Sequence, residues 1–240
     1  MAEGELSSEI RERLSRVSTA TLTSQLLKLG FRNTFMRGPR PLRPDLRLVG
    51  RAFTLRYVPA REDLDMQVDY DNSRNVQRLA VEAIGPGEVL VIDARGDLES
   101  ASFGHIIATR IGVRGAAGLV TDGALRDTGR FARLEFPAYC AAAHATTSSV
   151  RHHPVDMNVT IGCGGVMVEP GDVVVGDAEG VVVIPHRVVE EVATKAYEQE
   201  RMEEYILGLV QGGRGIQGVY PPDEATRRAF EAAAKRRPGA

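Results

Sequence analysis

The spacing of apolar side chains changes rhythm along this chain. Residues 7–30, SSEIRERLSRVSTATLTSQLLKLG, repeat them at helical intervals and predict two short helices. Ser7 or Ser8 can cap the first, and Ser18 or Thr19 the second, which stops at Gly30. Arg, Pro and Gly then crowd the stretch to Pro44, which reads as loop. LVGRAFTLRYV alternates apolar with polar and predicts a strand. AREDLDMQVDYDNS is a polar connection long enough to serve as an active-site loop. NVQRLAVEAI returns to helical spacing until Gly85-Pro86-Gly87. Next come VLVID as a buried strand, ASFGHIIATRIG as a helix, AAGLVT as a second buried strand, RDTGRFARL as a short helix or turn, and FPAYCA as a further strand.

From Val159 the pattern turns β-branched. VTIG, VMVEPGD, VVVG and GVVVIP are short runs cut by Gly, Pro and Asp, predicting a meander or small barrel-like region. HRVVEEVATKAYEQERMEEYILGLVQGG is a long helix, and EATRRAFEAAAKRR a last helix expected to fray. The order, βαβαβ and then all-β closed by a helix, suggests a layered α/β domain with a mixed sheet, not a doubly wound nucleotide fold.

Composition adds bounds. With 240 residues, 43% hydrophobic and 26% charged, the chain can bury a large core and does not resemble a disordered segment. A formal charge of −2 gives no bulk attraction to nucleic acid or membrane. No apolar run approaches membrane-spanning length. The acidic amphipathic start, MAEGELSSEIRERL, lacks the apolar run of a signal peptide, and two cysteines suit a reducing compartment, so a cytoplasmic setting is expected.

Several chemistries are disfavoured. Gly213-x-Gly215-x-x-Gly218 matches a dinucleotide fingerprint by letter but follows a helix where a strand is required. Cys140, His144, His152, His153 and Cys163 follow no zinc-finger or deaminase spacing. No Gly-x-Ser-x-Gly elbow is present. The only lysines, Lys28, Lys195 and Lys235, lie on amphipathic helices or in the tail, which disfavours imine chemistry.

The segment FGHIIATRIGVRGAAGLVTDGALRD, Phe103 to Asp127, carries the most chemistry. Arginine clamps a carboxylate through two parallel hydrogen bonds. A neighbouring aspartate can hold a hard cation such as Mg²⁺. Arg126 and Asp127 offer both together. The helix mouth near Phe103-Gly104-His105 presents free amides suited to an anion. VLVID and AAGLVT flank that helix, so their carboxyl ends are expected to bound the crevice. The plain alternative is that Asp127 caps the short helix after it.

At these residues the chain resembles the RraA-like family, which includes 4-hydroxy-4-methyl-2-oxoglutarate / 4-carboxy-4-hydroxy-2-oxoadipate aldolases as well as proteins labelled regulators of ribonuclease activity or demethylmenaquinone methyltransferases. The likeness runs from STATLTSQLLKLG to the helix after GVVVIP, and VEPGDVVVGDAEGVVVIP adds specificity to the first motif. It implies an αββα-type sandwich with mixed sheet and swivelling-domain-like topology, with flanking N- and C-terminal helices. It also implies one domain over 1–240: a core of about 18–212, an N-terminal helix in 1–17 and a C-terminal extension in 213–240. A homotrimer or homohexamer is implied, with active sites between subunits. The implied activity is a Mg²⁺- or Mn²⁺-dependent lyase, cleaving by retro-aldol reaction or decarboxylation a pyruvate-yielding oxo acid such as 4-hydroxy-4-methyl-2-oxoglutarate or oxaloacetate.

By the same resemblance Arg126 binds the pyruvyl carboxylate and stabilises the enolate, and Asp127 is the direct protein ligand of the metal. Gly104 and the amides of Ile106 and Ile107 meet the substrate. Glu203, or else Glu204, from a neighbouring subunit orders water around the metal. The family pattern Asp-x20-Arg-Asp has His105 at its first position here. Histidine can relay a proton, and if cationic it would repel Arg126. Two non-catalytic alternatives follow: a regulator that docks on an RNA-processing enzyme, for which the His105 substitution speaks, and a phosphohistidine-type carrier, argued from fold analogy alone.

Overall fold

The computed structural model describes residues 6–65 and 73–236. Helices α1 (Ser8–Ser15) and α2 (Thr19–Lys28) open the chain, with Ser7 and Ser18 as their N-caps, in line with the sequence. Strand β1 (Arg40–Pro41) lies in the predicted loop, and β2 (Leu48–Pro59) follows. The polar connection contains the short helix α3 (Glu62–Asp65), and its positions 66–72 lie outside the described residues. Next come α4 (Val76–Ala83), β3 (Glu88–Asp93), β4 (Ala101–Phe103), α5 (His105–Val113), β5 (Gly118–Thr121), β6 (Ala124–Leu125), α6 (Thr128–Phe131), β7 (Ala138–Cys140) and β8 (Ala142–Ala143). The β-rich part holds β9 (His152–Met157), β10 (Ile161–Cys163), β11 (Val166–Val168), β12 (Val173–Gly176) and β13 (Val181–Ile184). Helices α7 (Val189–Gln211) and α8 (Glu224–Arg236) end it.

The fold is mixed α/β around one mixed sheet, ordered β1-β7-β5-β3-β2-β12-β13, with β9 also on β2. Strands β7, β5, β3 and β2 run parallel, whereas β12 and β9 pair antiparallel with β2. This corrects the expectation of a separate meander: β12 and β13 extend the same sheet, and β10–β11 forms a hairpin of its own. Strand β2 is central, so from Ala52 to Leu55 its side chains are buried on both faces, Thr54 included, and the predicted alternation appears only from exposed Arg56 beside buried Tyr57 onward.

Successive residues of β3 serve opposite layers. Leu90 and Ile92 pack with Ile111, Phe131 and Ala80 of the helical face. Val89 and Val91 pack with Ile161, Val166 and Val168 of the hairpin. A third cluster joins α1, α2 and α7 to β12 and β13 through Leu14, Leu22, Val192, Val175 and Ile184. The last helix docks instead of standing free: Phe230 meets the Tyr205 ring at 5.6 Å.

A second feature positions the site. Strands β3, β5 and β7 each leave the main sheet and are continued after a turn by β4, β6 and β8. These three form a small parallel sheet in the same order. Ala101–Phe103 is thus a strand, correcting the helix expected from Ala101; the helix begins only after Gly104.

Asp122 holds the crossing between the sheets. Its carboxylate accepts from the amides of Ala94 (2.8 Å), Gly96 (3.2 Å) and Gly164 (3.3 Å), tying the turn after β3 to the β10–β11 hairpin. Burial pushes its pKa up, nearby Asp93 adds to this, and the three donors work against it. Asp122→Ala leaves buried donors unpaired. A loss of about 3 kcal/mol, or about 6–12 °C in Tm, is the expected result of a thermal melt.

Candidate active site

The small sheet brings two distant segments together at its carboxyl edge. Gly104 follows β4 and caps α5, while Arg126 and Asp127 follow β6. The Arg126 amide donates to the Phe103 carbonyl at 3.1 Å and fastens one segment to the other. A Cβ at position 104 would lie 3.2 Å from Arg126 Cγ and 3.5 Å from Asp127 Oδ2. Glycine therefore lets the arginine stem cross the helix mouth. Gly104 has no side chain with which to cap α5, the His105 amide faces the Asp127 carboxylate, and no protein acceptor meets the amides of Ile106 and Ile107 among the described residues. These amides and the positive end of the helix dipole are available to an anion.

Asp127 sits at the N-cap of α6 in the left-handed region, φ 62° and ψ 30°. Aspartate tolerates this region better than most residues, yet it carries strain. Its carbonyl accepts from the amides of Arg130 (2.8 Å) and Phe131 (3.2 Å), but its carboxylate makes no capping bond. The plain capping role thus belongs to the backbone. The side chain instead lies 2.9 Å from His105 Nδ1 and 3.5 Å from Arg126 Nε, both through Oδ2.

The ring of His105 has a defined tautomer. Its Nε2 lies 3.1 Å from Arg130 Nη1, and a guanidinium only donates, so Nε2 accepts. The proton sits on Nδ1 and is donated to Asp127. That hydrogen bond, followed by the Arg126 charge, holds the Asp127 carboxyl below the usual carboxylate range. It is ionised at neutral pH. His105 thus contacts Asp127 and Arg130.

A crevice of about 170 Å³ opens here, lined by Gly104, Ile106, Ile107, Arg126 and Asp127. Gln77 and Arg78 from the first turn of α4, with Thr147 and Ser148 after β8, complete the wall and were not expected from the sequence. The crevice lies at the ends of β4 and β6, which correct VLVID and AAGLVT as its bounding strands. Its volume is well below the ~300–1,000 Å³ of sites for drug-sized ligands. That space is on the scale of an acid of a few carbons. Glu203 and Glu204 lie elsewhere on α7: Glu203 accepts from Gln199 at 2.8 Å, and Glu204 faces a cleft shared with Arg16 and Tyr197. Within one chain neither lines the crevice.

The model for Aldolase/RraA proteins matches residues 19–183, a span that contains both the main sheet and this crevice. The chain belongs to the RraA-like family. A relative from Halalkalibacterium halodurans, named "Putative 4-hydroxy-4-methyl-2-oxoglutarate aldolase", is 36% identical over 165 residues, 69% of this chain and 72% of that protein. The crystal structure of Streptomyces coelicolor RraAS2, described as an unusual member of the RNase ES inhibitor RraA protein family, is 32% identical with a TM-score of 0.75. That match covers 84% of this chain and 96% of the other. An uncharacterized Pseudomonas syringae protein shares the fold at 24% identity, with a TM-score of 0.76 over 90% of this chain and 98% of its own. The RraA-like family thus contains proteins named as aldolases and proteins described as ribonuclease inhibitors. Among the described residues no helix is long and apolar enough to cross a membrane.

Proposed function

We propose that this RraA-like chain is a lyase that cleaves a carbon–carbon bond in a short 2-oxo acid and releases pyruvate. The observation that carries the reading is the Asp127 carboxylate. It is ionised and does not cap α6, and it is set beside Arg126 at the open mouth of α5.

The substrate carboxylate takes the Arg126 fork, and the Ile106 and Ile107 amides complete its cradle. Breaking the bond beyond C3 sends its electron pair into the 2-oxo group and generates the pyruvate enolate. In 4-hydroxy-4-methyl-2-oxoglutarate the 4-hydroxyl gives up its proton and C4 leaves as the carbonyl of a second pyruvate, in oxaloacetate C4 leaves as CO2, and in both a proton from water to C3 of the enolate completes pyruvate. Arg126 and the helix-mouth amides are fixed before the charge develops, so they oppose it without reorganising. His105 acts as a positioning residue, because its Nδ1–H fixes which Asp127 oxygen is occupied.

The donor set suits a hard divalent ion. Mg²⁺ is commonly held by one or two carboxylates with water and substrate completing its shell. The contacts of Asp127 to His105 and Arg126 both use Oδ2 and neither uses Oδ1. Asp127 would hold Mg²⁺ or Mn²⁺, which would supply Lewis-acid polarisation of the 2-oxo group. Glu203 or Glu204 of a second copy is the proposed acid that orders water near this ion, in a trimer or hexamer.

A regulatory reading draws support from the likeness to RraAS2. The two separate in one screen. Pyruvate release from oxaloacetate and several 4-hydroxy-2-oxo acids is followed with Mg²⁺, with Mn²⁺ and with chelator. Metal-dependent release from at least one is expected. Silence across the panel would favour a docking protein.

A further inference from the structure

We infer that His152 is a positioning residue of the crevice and makes one wall of it sensitive to acid: its neutral ring, through Arg95, latches the Thr147–Ser148 wall to the turn after β3. This rests on the crevice being the active site proposed above and adds regulation to it. Thr147 and Ser148 belong to a short segment tied at both ends to β4 and its approach. At one end the Ala101 amide donates to the Thr146 carbonyl at 3.0 Å. At the other, His152 Nε2 lies 3.4 Å from the Ser100 carbonyl. Strand β4 leads directly into Gly104, so these ties set how the wall stands against the mouth of α5. The Ser100 hydroxyl is buried without a hydrogen-bond partner and adds no tie of its own.

The ring of His152 is 1% exposed and stacks on Tyr57, centroids 5.3 Å apart. Arg95 Nη2 bridges the Arg151 carbonyl (3.0 Å) and His152 Nδ1 (3.2 Å). A guanidinium only donates, so Nδ1 accepts and the ring proton sits on Nε2, facing Ser100. A second proton would fall on Nδ1 and set two donors, both cationic, 3.2 Å apart. Arg95 then leaves, and the Asp97 carboxylate, 3.9 Å away, is ready to receive it. Its backbone is strained at φ 62°, between the Ala94 and Gly96 amides that Asp122 holds, so losing the bridge removes what offsets that strain. The other charges near the ring are Arg151, Asp97 and Glu99, with Arg151 bound to Asp97 (2.8 Å) and Glu99 (2.9 Å). Burial above all pushes the His152 pKa down; the Ser100 carbonyl and Asp97 oppose this, and Arg95 and Arg151 add to it. With the folded pKa depressed, the unfolded chain takes up its proton first. Stability from this site is therefore full above about pH 6.5 and falls as pH drops toward the folded pKa.

Nuclear magnetic resonance on the wild-type protein, from about pH 8 to about pH 5, tests the latch without substrate. The His152 ring should take up its proton within this range, and the Thr147 and Ser148 amides should shift with the same midpoint. The His105 ring, followed in the same spectra, shows whether a midpoint belongs to it instead. Arg95→Asn removes the bridge and suits the left-handed backbone, so Tm should hold within about 3 °C. In this variant the His152 midpoint should rise, because a neighbouring cation is gone. At neutral pH its KM for an oxo acid cleaved by wild type should rise about 2- to 12-fold. Its kcat should stay within about two-fold, since Arg126 and the helix-mouth amides are untouched. A His152 ring that stays neutral throughout, or titrates without moving the two amides, overturns the latch. Wild-type KM in Arg95→Asn, or kcat and Tm falling together, overturns the positioning role. Wild type silent on every oxo acid defeats the oxo-acid reading, and the two amides then decide the latch alone.

Discussion

Arg126→Ala is expected to abolish practical turnover. Loss of one preorganised donor to a developing oxyanion costs about 100- to 1,000-fold in kcat. Loss of a charge-assisted carboxylate contact adds about 10-fold or more in KM. Fold stability should hardly move. Arg126 is partly exposed, and among the described residues its one side-chain ion pair is with its neighbour Asp127. A folded, inactive protein is thus the expected result, and Arg126→Lys should recover part of the rate through charge alone. Pyruvate release from oxaloacetate or 4-hydroxy-4-methyl-2-oxoglutarate gives the measurement. Near-normal kcat/KM in Arg126→Ala would remove the arginine from the chemistry.

The second large effect is expected at Asp127, and backbone geometry decides which variant tests it. Alanine at φ 62° would add backbone strain to the loss of charge. Asparagine tolerates the left-handed region and keeps an acceptor for His105 Nδ1–H. Asp127→Asn therefore isolates the charge. Mn²⁺ binding, followed by electron paramagnetic resonance, should be lost or weakened by at least tenfold, and activity should fall with it at unchanged Tm. Added Mn²⁺ should not restore the wild-type rate. Wild-type Mn²⁺ affinity in this variant would contradict the metal assignment even if turnover were lost.

Half of this crevice could be read from the letters. The Gly104–Ile107 helix mouth and the Arg126–Asp127 pair lie within one run of 25 residues with recognisable turn chemistry, and the structure joins them. The other half could not. Arg78, Thr147 and Ser148 arrive from separate parts of the chain because three strands jump from one sheet to another. Such jumps leave little periodic signal: β6 and β8 have two residues each, and β4 has three. Ala101–Phe103 lost its identity to the helix beside it for this reason. A clue to Arg78 was nonetheless present, since Asn75 marks a helix start and puts an arginine at the end where cations are disfavoured. In the main sheet, two-sided burial hides Thr54 in the first part of β2, whereas Arg56 is exposed as the alternation predicts. The role of His105 needed coordinates, since only its Arg130 contact fixes the tautomer.

The paired order of the two sheets bears on how one scaffold comes to host unlike tasks. Each reactive loop hangs from its own interior strand by a brief tether, so loops can be rewritten one at a time while the interior goes untouched. A change of chemistry at the small sheet then asks nothing of the buried layers beneath it.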